Sequence, residues 1–165
     1  MTAGRLTRNE RRARALALLV PAGLLAGAWG SQLIGHLYPC EMCHWQRWPH
    51  YAAVAAALLA FAAPRPALAR VLIVVAALLI AVSGAIGVFH AGVEYHWWHG
   101  VTACSGRLDL AGLSPAERLR RIMSVPVIPC DIAQWRLAGV SLAGFNAILS
   151  LGAATAILLL ARRPR

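Results

Sequence analysis

The sequence has no lysine and only six acidic residues, so its 16 positively charged side chains are all arginines. Charged residues make up 13% of the chain, about half of the share usual in soluble domains. They are missing altogether from four long runs, 15–40, 48–64, 71–93 and 137–161. There is also no internal repeat, low-complexity tract or Gly-rich phosphate loop. These absences argue against a soluble domain, a repeat protein and a nucleotide-binding loop.

The four charge-free runs have the length and composition of membrane-spanning helices. They contain 26, 17, 23 and 25 residues, whereas a bilayer core needs about 20 residues, with a range of roughly 17–25. They are rich in Ala, Leu, Val and Gly without polar alternation, which favours helices over barrel strands. We therefore expect an all-α integral membrane protein, a four-transmembrane-helix bundle with a short amphipathic helix in the second periplasmic loop.

The arginines predict how the chain is oriented in the membrane. The first 14 residues, the 65–70 connector and the 162–165 tail together hold ten arginines against the single acid Glu10. The positive-inside rule then puts both termini in the cytoplasm and both cysteine-bearing segments in the periplasm, where disulfides persist. Because the basic charge is explained by topology, no nucleic-acid partner is expected.

These patterns divide the chain into the segments of a single membrane domain, 1–165. The expected segments are cytoplasmic 1–14, TM1 15–36, periplasmic loop 37–46 with Cys40/Cys43, TM2 47–63, cytoplasmic 64–68, TM3 69–91, periplasmic loop 92–136 with Cys104/Cys130, TM4 137–161 and cytoplasmic 162–165. Within the second loop, Ser114-Pro115-Ala116-Glu117 has the pattern of a capping box and predicts the start of the short amphipathic helix.

Cys40 and Cys43 form a Cys-x-x-Cys pair at the predicted membrane surface. We expect the second helix to begin near Gln46 to Pro49, which puts Cys43 just before its positive end and Arg47 in its first turn. Both features lower the pKa of a cysteine, so Cys43 is the expected thiolate. The alternative for Arg47 is that it only extends toward lipid phosphates.

Cys104 and Cys130 lie 26 residues apart in the longest polar stretch, which we expect to be exposed and mobile. Two functions remain open for this pair: a stabilising loop disulfide, or the point at which a soluble dithiol delivers electrons that pass on to Cys40 and Cys43. Four cysteines allow three pairings, and the sequence does not choose among them.

Two metal-containing sites are alternatives for the Cys40/Cys43 pair. Cys40-Glu41-Met42-Cys43-His44 satisfies the Cys-x-x-Cys-His pattern of covalent c-type haem, but so short a match is weak and the predicted loop offers little pocket. A zinc site lacks a second ligand pair on the same loop. No metal is therefore expected.

These residues together resemble the disulfide bond formation protein B family, DsbB, of bacterial inner membranes. The resemblance covers nearly the whole chain. It rests on the four spans with both ends inside, on Pro-Cys-x-x-Cys-x-x-Gln-Arg after the first helix, on the second outer cysteine pair, and on Pro-Cys-Asp-x-x-x-Trp followed by Gly139-x-Ser141 and Asn146.

The resemblance implies a membrane quinone-dependent thiol oxidase, a protein-disulfide:quinone oxidoreductase of the bacterial inner membrane. Its partners are a periplasmic thioredoxin-like thiol oxidase (DsbA-like), the membrane quinone pool and the lipid bilayer. It implies that the reduced partner attacks Cys104, whose own partner is Cys130. Cys130 then exchanges with Cys40 and releases Cys43.

The resemblance also implies a bound quinone, either ubiquinone or menaquinone, in contact with the Cys43 thiolate. Arg47 is expected to stabilise the negative charge there, and Gln46 matches the family motif. His90, near the outer end of the third span, is expected to line the quinone site.

Three other functions are alternatives to this one. The vitamin K epoxide reductase-like family uses similar thiol–quinone chemistry, but its cysteine pairs come in the reverse order along the chain. A membrane-anchored c-type cytochrome would use the Cys-x-x-Cys-His pattern, and a structural membrane protein would hold two inert disulfides.

Overall fold

The computed structural model describes residues 5–102, 104, 111–124 and 128–162. The described residues form helices α1 Arg8–Leu33, α2 Glu41–Ala62, α3 Pro66–Glu94 and α4 Pro115–Met123, strands β1 Arg136–Leu137 and β2 Val140–Ser141, and helix α5 Leu142–Arg162. The fold is mostly helical, as the sequence predicts. The two short strands, which pair antiparallel, were not expected.

The four long helices pack as a bundle in which α1 and α3 each lie between α2 and α5. One end of the bundle, here called the arginine end, is where α1 and α3 begin and α2 and α5 end. The other, here called the cysteine end, is where α2 begins and α3 ends. Most of the buried apolar side chains in the main core are alanine, with isoleucine at three positions. Such small side chains let helix backbones approach closely.

Three of the described helices, α1, α3 and α5, are long and apolar enough to cross a membrane. The expected span TM2 47–63 lies in α2, which is 22 residues long but carries Arg47 and His50 in its first half. The expectation of four spans therefore stays a prediction.

The expected start of the second helix near Gln46 to Pro49 is wrong. Helix α2 begins at Glu41 because the Cys40 sulfur accepts a hydrogen bond from the Cys43 N–H and acts as the N-cap. Pro49 consequently lies inside the helix, and the loop expected over residues 37–46 ends at Cys40.

The last helix also begins later than the expected span TM4 137–161, since α5 begins at Leu142. Ala138 and Gly139 have φ values of 50° and 81°, and this left-handed pair makes the tight turn between β1 and β2. The Ser141 hydroxyl then accepts a hydrogen bond from the Gly144 N–H, as an N-cap does.

The first helix also extends beyond its apolar run. Helix α1 begins at Arg8, not near Ala15, because Thr7 and Glu10 form a capping box. The capping box predicted at Ser114 and Glu117 is confirmed at the start of α4. Helix starts in this chain thus follow capping groups more closely than they follow the ends of apolar runs.

Hydrogen bonds of two side chains, Gln134 and Tyr95, hold the second loop and the hairpin at the cysteine end. The Gln134 side chain donates a hydrogen bond to the Tyr38 carbonyl at 2.7 Å, which joins the two loops. The Tyr95 hydroxyl donates to the Gly139 carbonyl at 2.7 Å and accepts from the Ser141 N–H at 3.1 Å. These bonds fix the segment after Cys130 against the first loop, and the hairpin against the end of α3.

Candidate active site

The Cys40 and Cys43 sulfurs lie 3.0 Å apart at the amino terminus of α2, and both are free thiols. Both precede the predicted span 47–63. The hydrogen bond from the Cys40 thiol lowers the pKa of Cys43, and the same contact raises the pKa of Cys40. This arrangement favours a thiolate on Cys43. Cys43 lies within the first turn of α2, whereas the sequence predicted that it would lie just before the helix.

Cys104 and Cys130 form a disulfide, with their Cα atoms 5.4 Å apart. Of the three possible pairings, this structure therefore contains the one within the second loop. The two residues are only 6% and 1% exposed, so the expectation that this pair lies in an exposed setting is wrong. The residues on either side of Cys104 lie outside the described part of the chain.

The two cysteine pairs share one buried cluster. Cys40, Cys104 and Cys130 pack there with Met42 and Val93, and Cys43 lies at its edge. Cys40 and Cys130, which are 90 positions apart in sequence, therefore lie in the same cluster. The arrangement places a dithiol directly beside a disulfide.

His90 lies between the two pairs. Its Nε2 atom is 3.5 Å from the Cys40 sulfur, and the ring also interacts with the backbone of Cys130. Its Nδ1 atom lies 2.8 Å from the side-chain nitrogen of Gln46. His90, on α3, therefore contacts both cysteine pairs and one further residue of the predicted site.

A chain of amide groups determines which nitrogen of His90 carries the proton. The Ser83 carbonyl can only accept a hydrogen bond, so the Asn146 atom that lies 3.2 Å from it must be the side-chain nitrogen. The same nitrogen donates to the Gln46 side-chain oxygen at 2.8 Å. The Gln46 nitrogen must then donate to the Met42 carbonyl and to His90 Nδ1. Nε2 is therefore the protonated nitrogen of the neutral ring, and it points toward the Cys40 sulfur.

This network continues into the middle of the bundle. His50 Nε2 lies 3.0 Å from the Asn146 oxygen and 2.9 Å from the Ser83 hydroxyl, and Ser150 donates to the same Asn146 oxygen at 3.0 Å. The sequence alone predicts no role for His50, Ser83 or Ser150. These residues could have been noticed as polar side chains within predicted spans, because polar groups there usually hydrogen-bond to one another.

Arg47 is held inside the protein and is only 8% exposed. Its guanidinium donates to the Gln32 side chain at 2.8 Å and to the Ala28 carbonyl at 3.0 Å, and it lies 5.3 Å from the centre of the Trp29 ring. An arginine that only extended toward lipid phosphates would not be buried against α1. This geometry favours a local role for its positive charge.

A cavity of about 260 Å³ joins these groups. Its polar lining includes all the predicted site residues except the loop disulfide, and it also includes Glu94 and Asn146. Its apolar lining comes largely from α1 and α5, with Leu24, Leu25, Leu142 and Phe145 among it. Apolar walls with a few converging polar groups are typical of sites for small organic molecules.

The donor atoms of Cys40, Cys43 and His90 lie within 4.8 Å of one another, which is close enough to surround a metal ion. A metal would need the lone pair of His90 Nε2, and the hydrogen bond from Gln46 to Nδ1 leaves a proton on that atom. The arrangement therefore suits a hydrogen-bond donor toward sulfur. The absence of a metal stays a prediction.

Comparison with known proteins gives one result. The family model described as disulfide bond formation protein DsbB matches residues 10–160. No match was found among curated proteins or among solved structures. The matched segment contains all four cysteines and nearly all of the bundle, and it includes helices apolar enough to cross a membrane. The chain therefore belongs to the disulfide bond formation protein DsbB family of membrane thiol oxidases.

Proposed function

We propose that the protein is a quinone-dependent thiol oxidase that reoxidises a periplasmic DsbA-like dithiol oxidase. One observation carries this proposal: a free dithiol packs against a disulfide on one side and lines an apolar cavity on the other. Electrons would enter through Cys104 and Cys130, pass to Cys40 and Cys43, and leave to a quinone in the cavity.

The donor side of this path is the Cys104–Cys130 disulfide. Attack on Cys104 by a reduced partner breaks the S–S bond, forms a mixed disulfide and releases Cys130 as a thiolate. Because both sulfurs are buried, the partner must displace residues around Cys104 to reach it. We assign Cys104 as the attacked sulfur because it is the more exposed of the two.

The transfer step joins the two pairs. Cys130 and Cys40 belong to one cluster, so a thiolate on Cys130 can attack a Cys40–Cys43 disulfide without refolding of the bundle. The His90 N–H, which points toward Cys40, stabilises negative charge there as sulfurs exchange. The displaced Cys43 leaves as the thiolate that its position in the first turn favours.

The acceptor side is the cavity, and its residues fit a quinone. A quinone would supply a lipid-soluble acceptor of two electrons and two protons. Cys43 lines the cavity as the electron donor, and Arg47 supplies the positive charge beside it. Gln46 and His90 provide polar contacts on the α2 and α3 sides, and the leucines and Phe145 exclude water.

The energetics support a quinone as the final acceptor. A DsbA-type partner is a strong oxidant with a reduction potential of about −120 mV, so ordinary thiol couples cannot regenerate it. A respiratory quinone has a high enough potential, and it is found only in the membrane. A membrane enzyme with its dithiol beside an apolar cavity meets both requirements.

We further propose that the protein lies in the bacterial inner membrane with both termini in the cytoplasm. The arginine end carries described charges such as Arg8, Arg65 and Arg162, and the cysteine end exposes Trp48 and Trp97. Arginine on the cytoplasmic side and tryptophan at an interface are the usual pattern of membrane proteins. The cysteines would then face the periplasm.

The haem alternative is not favoured by the geometry. His44, the expected iron ligand, is exposed and is not among the residues lining the cavity, whereas Cys40 is buried against the loop disulfide. A haem bound to Cys40 and Cys43 would have to displace that cluster.

The proposal is tested by quinone reduction with purified protein. A reduced thioredoxin-like dithiol oxidase is the electron donor, and short-chain analogues of ubiquinone and menaquinone are the acceptors. We expect quinone to be reduced at the rate at which donor thiols are lost, and a Cys104→Ser variant to lose both signals. The proposal would be contradicted if the wild-type protein consumed donor thiols without reducing quinone, or if it did neither.

A further inference from the structure

Glu94 is a buried carboxylic acid that takes no part in the proposed electron path from the loop disulfide to the quinone. It is the last residue of α3, is 7% exposed, and lines the same cavity as Cys43 and Arg47. Its Oε1 atom lies 3.7 Å from His90 Nε2, while Oε2 has no hydrogen-bond partner among the described residues. Buried polar atoms are rarely left in this state, so an unpartnered oxygen beside a redox site calls for a function.

The charges around Glu94 link it to the cysteines. The charged or titratable groups that face it are His90 on its own helix, Arg136 on β1, Cys40 and Cys43 at the start of α2, and Arg47 across the cavity. Negative charge on Glu94 repels negative charge on Cys43. A Cys43 thiolate and a Glu94 carboxylate therefore disfavour each other.

His90 determines which oxygen of Glu94 is available. Its protonated Nε2 lies between the Cys40 sulfur at 3.5 Å and Glu94 Oε1 at 3.7 Å. The hydrogen bond from Gln46 keeps the ring in this tautomer, so Nε2 remains a donor and cannot take a further proton. Oε1 therefore faces an N–H group, and the Ser141 hydroxyl also interacts with the carboxyl group. Oε2, which makes no hydrogen bond of normal length to the described residues, is the oxygen assigned to carry the proton.

We propose that Glu94 takes up one of the protons lost by the partner's dithiol as Cys43 is released as a thiolate, and returns it from Oε2 to the quinone as Cys40 and Cys43 are oxidised. This inference rests on the proposed function and adds a proton path to it. Glu94 is neutral while Cys43 is a thiolate, and it becomes charged when Cys43 enters the disulfide. The cavity then holds one negative charge at each stage, beside the buried Arg47.

The atoms and electrons balance. The Cys40 thiol and the Cys43 thiolate lose two electrons as their S–S bond forms. The quinone accepts these two electrons with two protons, one from the Cys40 thiol and one from Glu94, and becomes the hydroquinone. Glu94 is left as a carboxylate, which takes up a proton again from the next reduced partner when Cys43 is again released as a thiolate.

The first test uses reduced protein without quinone. The rate at which iodoacetamide alkylates Cys43 is measured against pH by mass spectrometry, in the wild type and in Glu94→Gln. Removing the competing charge should move the Cys43 profile to lower pH by about one unit. An unchanged profile would mean that the two groups are not coupled, and would overturn the inference.

The second test uses quinone reduction. Glu94→Gln should lower kcat between about tenfold and a hundredfold, the usual range for loss of a modest general acid, with little change in KM for quinone. The wild-type rate should fall as rising pH removes the Glu94 proton, and the variant should lose this fall. A wild-type kcat in the variant, or a rise in KM alone, would contradict a role in proton transfer.

Two further variants complete the design. Glu117→Gln removes an exposed carboxylate at the start of α4 and should leave both readouts unchanged. Glu94→Asp keeps the acid but moves it back by one methylene, so it should lower kcat several-fold with a nearly wild-type Cys43 profile. If Glu94→Gln fails to fold, an unchanged kcat in Glu94→Asp overturns the inference. If the wild type reduces no quinone, the proposed function fails, while the alkylation test still reports on the coupling.

Discussion

The two ends of the bundle are built from different kinds of contact. Toward the arginine end the buried side chains are mostly alanine and isoleucine, and the Glu10–Arg70 ion pair lies beside them. Toward the cysteine end the buried side chains form a continuous polar chain from Cys40 through His90, Gln46 and Asn146 to His50. The same four helices thus carry an apolar core and a hydrogen-bonded one.

This difference separates stability from chemistry. Apolar contacts are non-directional, so the arginine end can hold the helices together without fixing the orientation of any one group. Hydrogen bonds are directional, and those at the cysteine end join α2, α3 and α5 and determine the tautomer of His90. We expect changes at the cysteine end to affect catalysis first, and changes at the arginine end to affect stability alone.

The largest expected effect is that of Cys43→Ser. A hydroxyl in place of the thiol can neither form a disulfide nor donate electrons, so quinone reduction should fall at least about a thousandfold. The Cys104–Cys130 disulfide should remain, because both of its sulfurs belong to the second loop and neither is changed. Quinone absorbance and mass-spectrometric mapping of disulfides measure the two effects. Residual activity within tenfold of the wild type would exclude Cys43 as the terminal donor.

Arg47→Ala should raise the apparent KM for quinone about tenfold, which is the loss of about 1.4 kcal/mol of binding. Folding should be retained, since the guanidinium contacts α1 by only two hydrogen bonds and one ring. Arg14→Ala is the matched control at the arginine end, where Arg14 lies over Phe61 at 4.1 Å. Its KM should be that of the wild type. Equal effects of the two substitutions would remove Arg47 from the quinone site.

Much of the site could be predicted from sequence because its chemistry is carried by rare residues. The cysteine pattern indicated thiol exchange, and Gln46, Arg47 and His90 line the cavity beside it. The capping box at Ser114 was also found, since it depends on residues three positions apart. Local patterns of this kind need no knowledge of the tertiary structure.

What the sequence did not provide are contacts between distant helices. Asn146 lies 100 residues from Gln46, yet its orientation determines the tautomer of His90. Glu94 directly follows an apolar run, so the sequence alone suggests only a charge at the end of a span. The structure shows that Glu94 lines the same cavity as Cys43. The start of α2 was misplaced because a cysteine is an unusual N-cap. Each of these depends on packing, which a periodic pattern does not contain.

Gly87→Ala tests how closely the cysteine end is packed. An added Cβ would lie 3.0 Å from both the Ala143 oxygen and the Ala147 nitrogen on α5, and these backbone atoms cannot rotate away. We expect a loss of about 1–3 kcal/mol of stability and reduced activity, as α3 and α5 separate near Asn146. Gly152→Ala is the control, since nothing lies within 4 Å of its added Cβ. Thermal unfolding in detergent should distinguish them, and equal melting temperatures would contradict close packing.

The smallest expected effect is that of Glu10→Gln at the arginine end. Glu10 is buried, accepts a hydrogen bond from Arg70 at 2.5 Å and caps α1 through the Thr7 N–H at 2.7 Å. Glutamine keeps an acceptor but loses the charge, so stability should fall by about 1 kcal/mol with kcat and KM unchanged. Glu117→Gln makes the same change in the exposed capping box of α4, where solvent screens the charge and the loss should be smaller. A loss of activity in Glu10→Gln at full stability would show that the two ends are coupled, because the polar chain that orients His90 would then depend on a charge at the opposite end of the bundle.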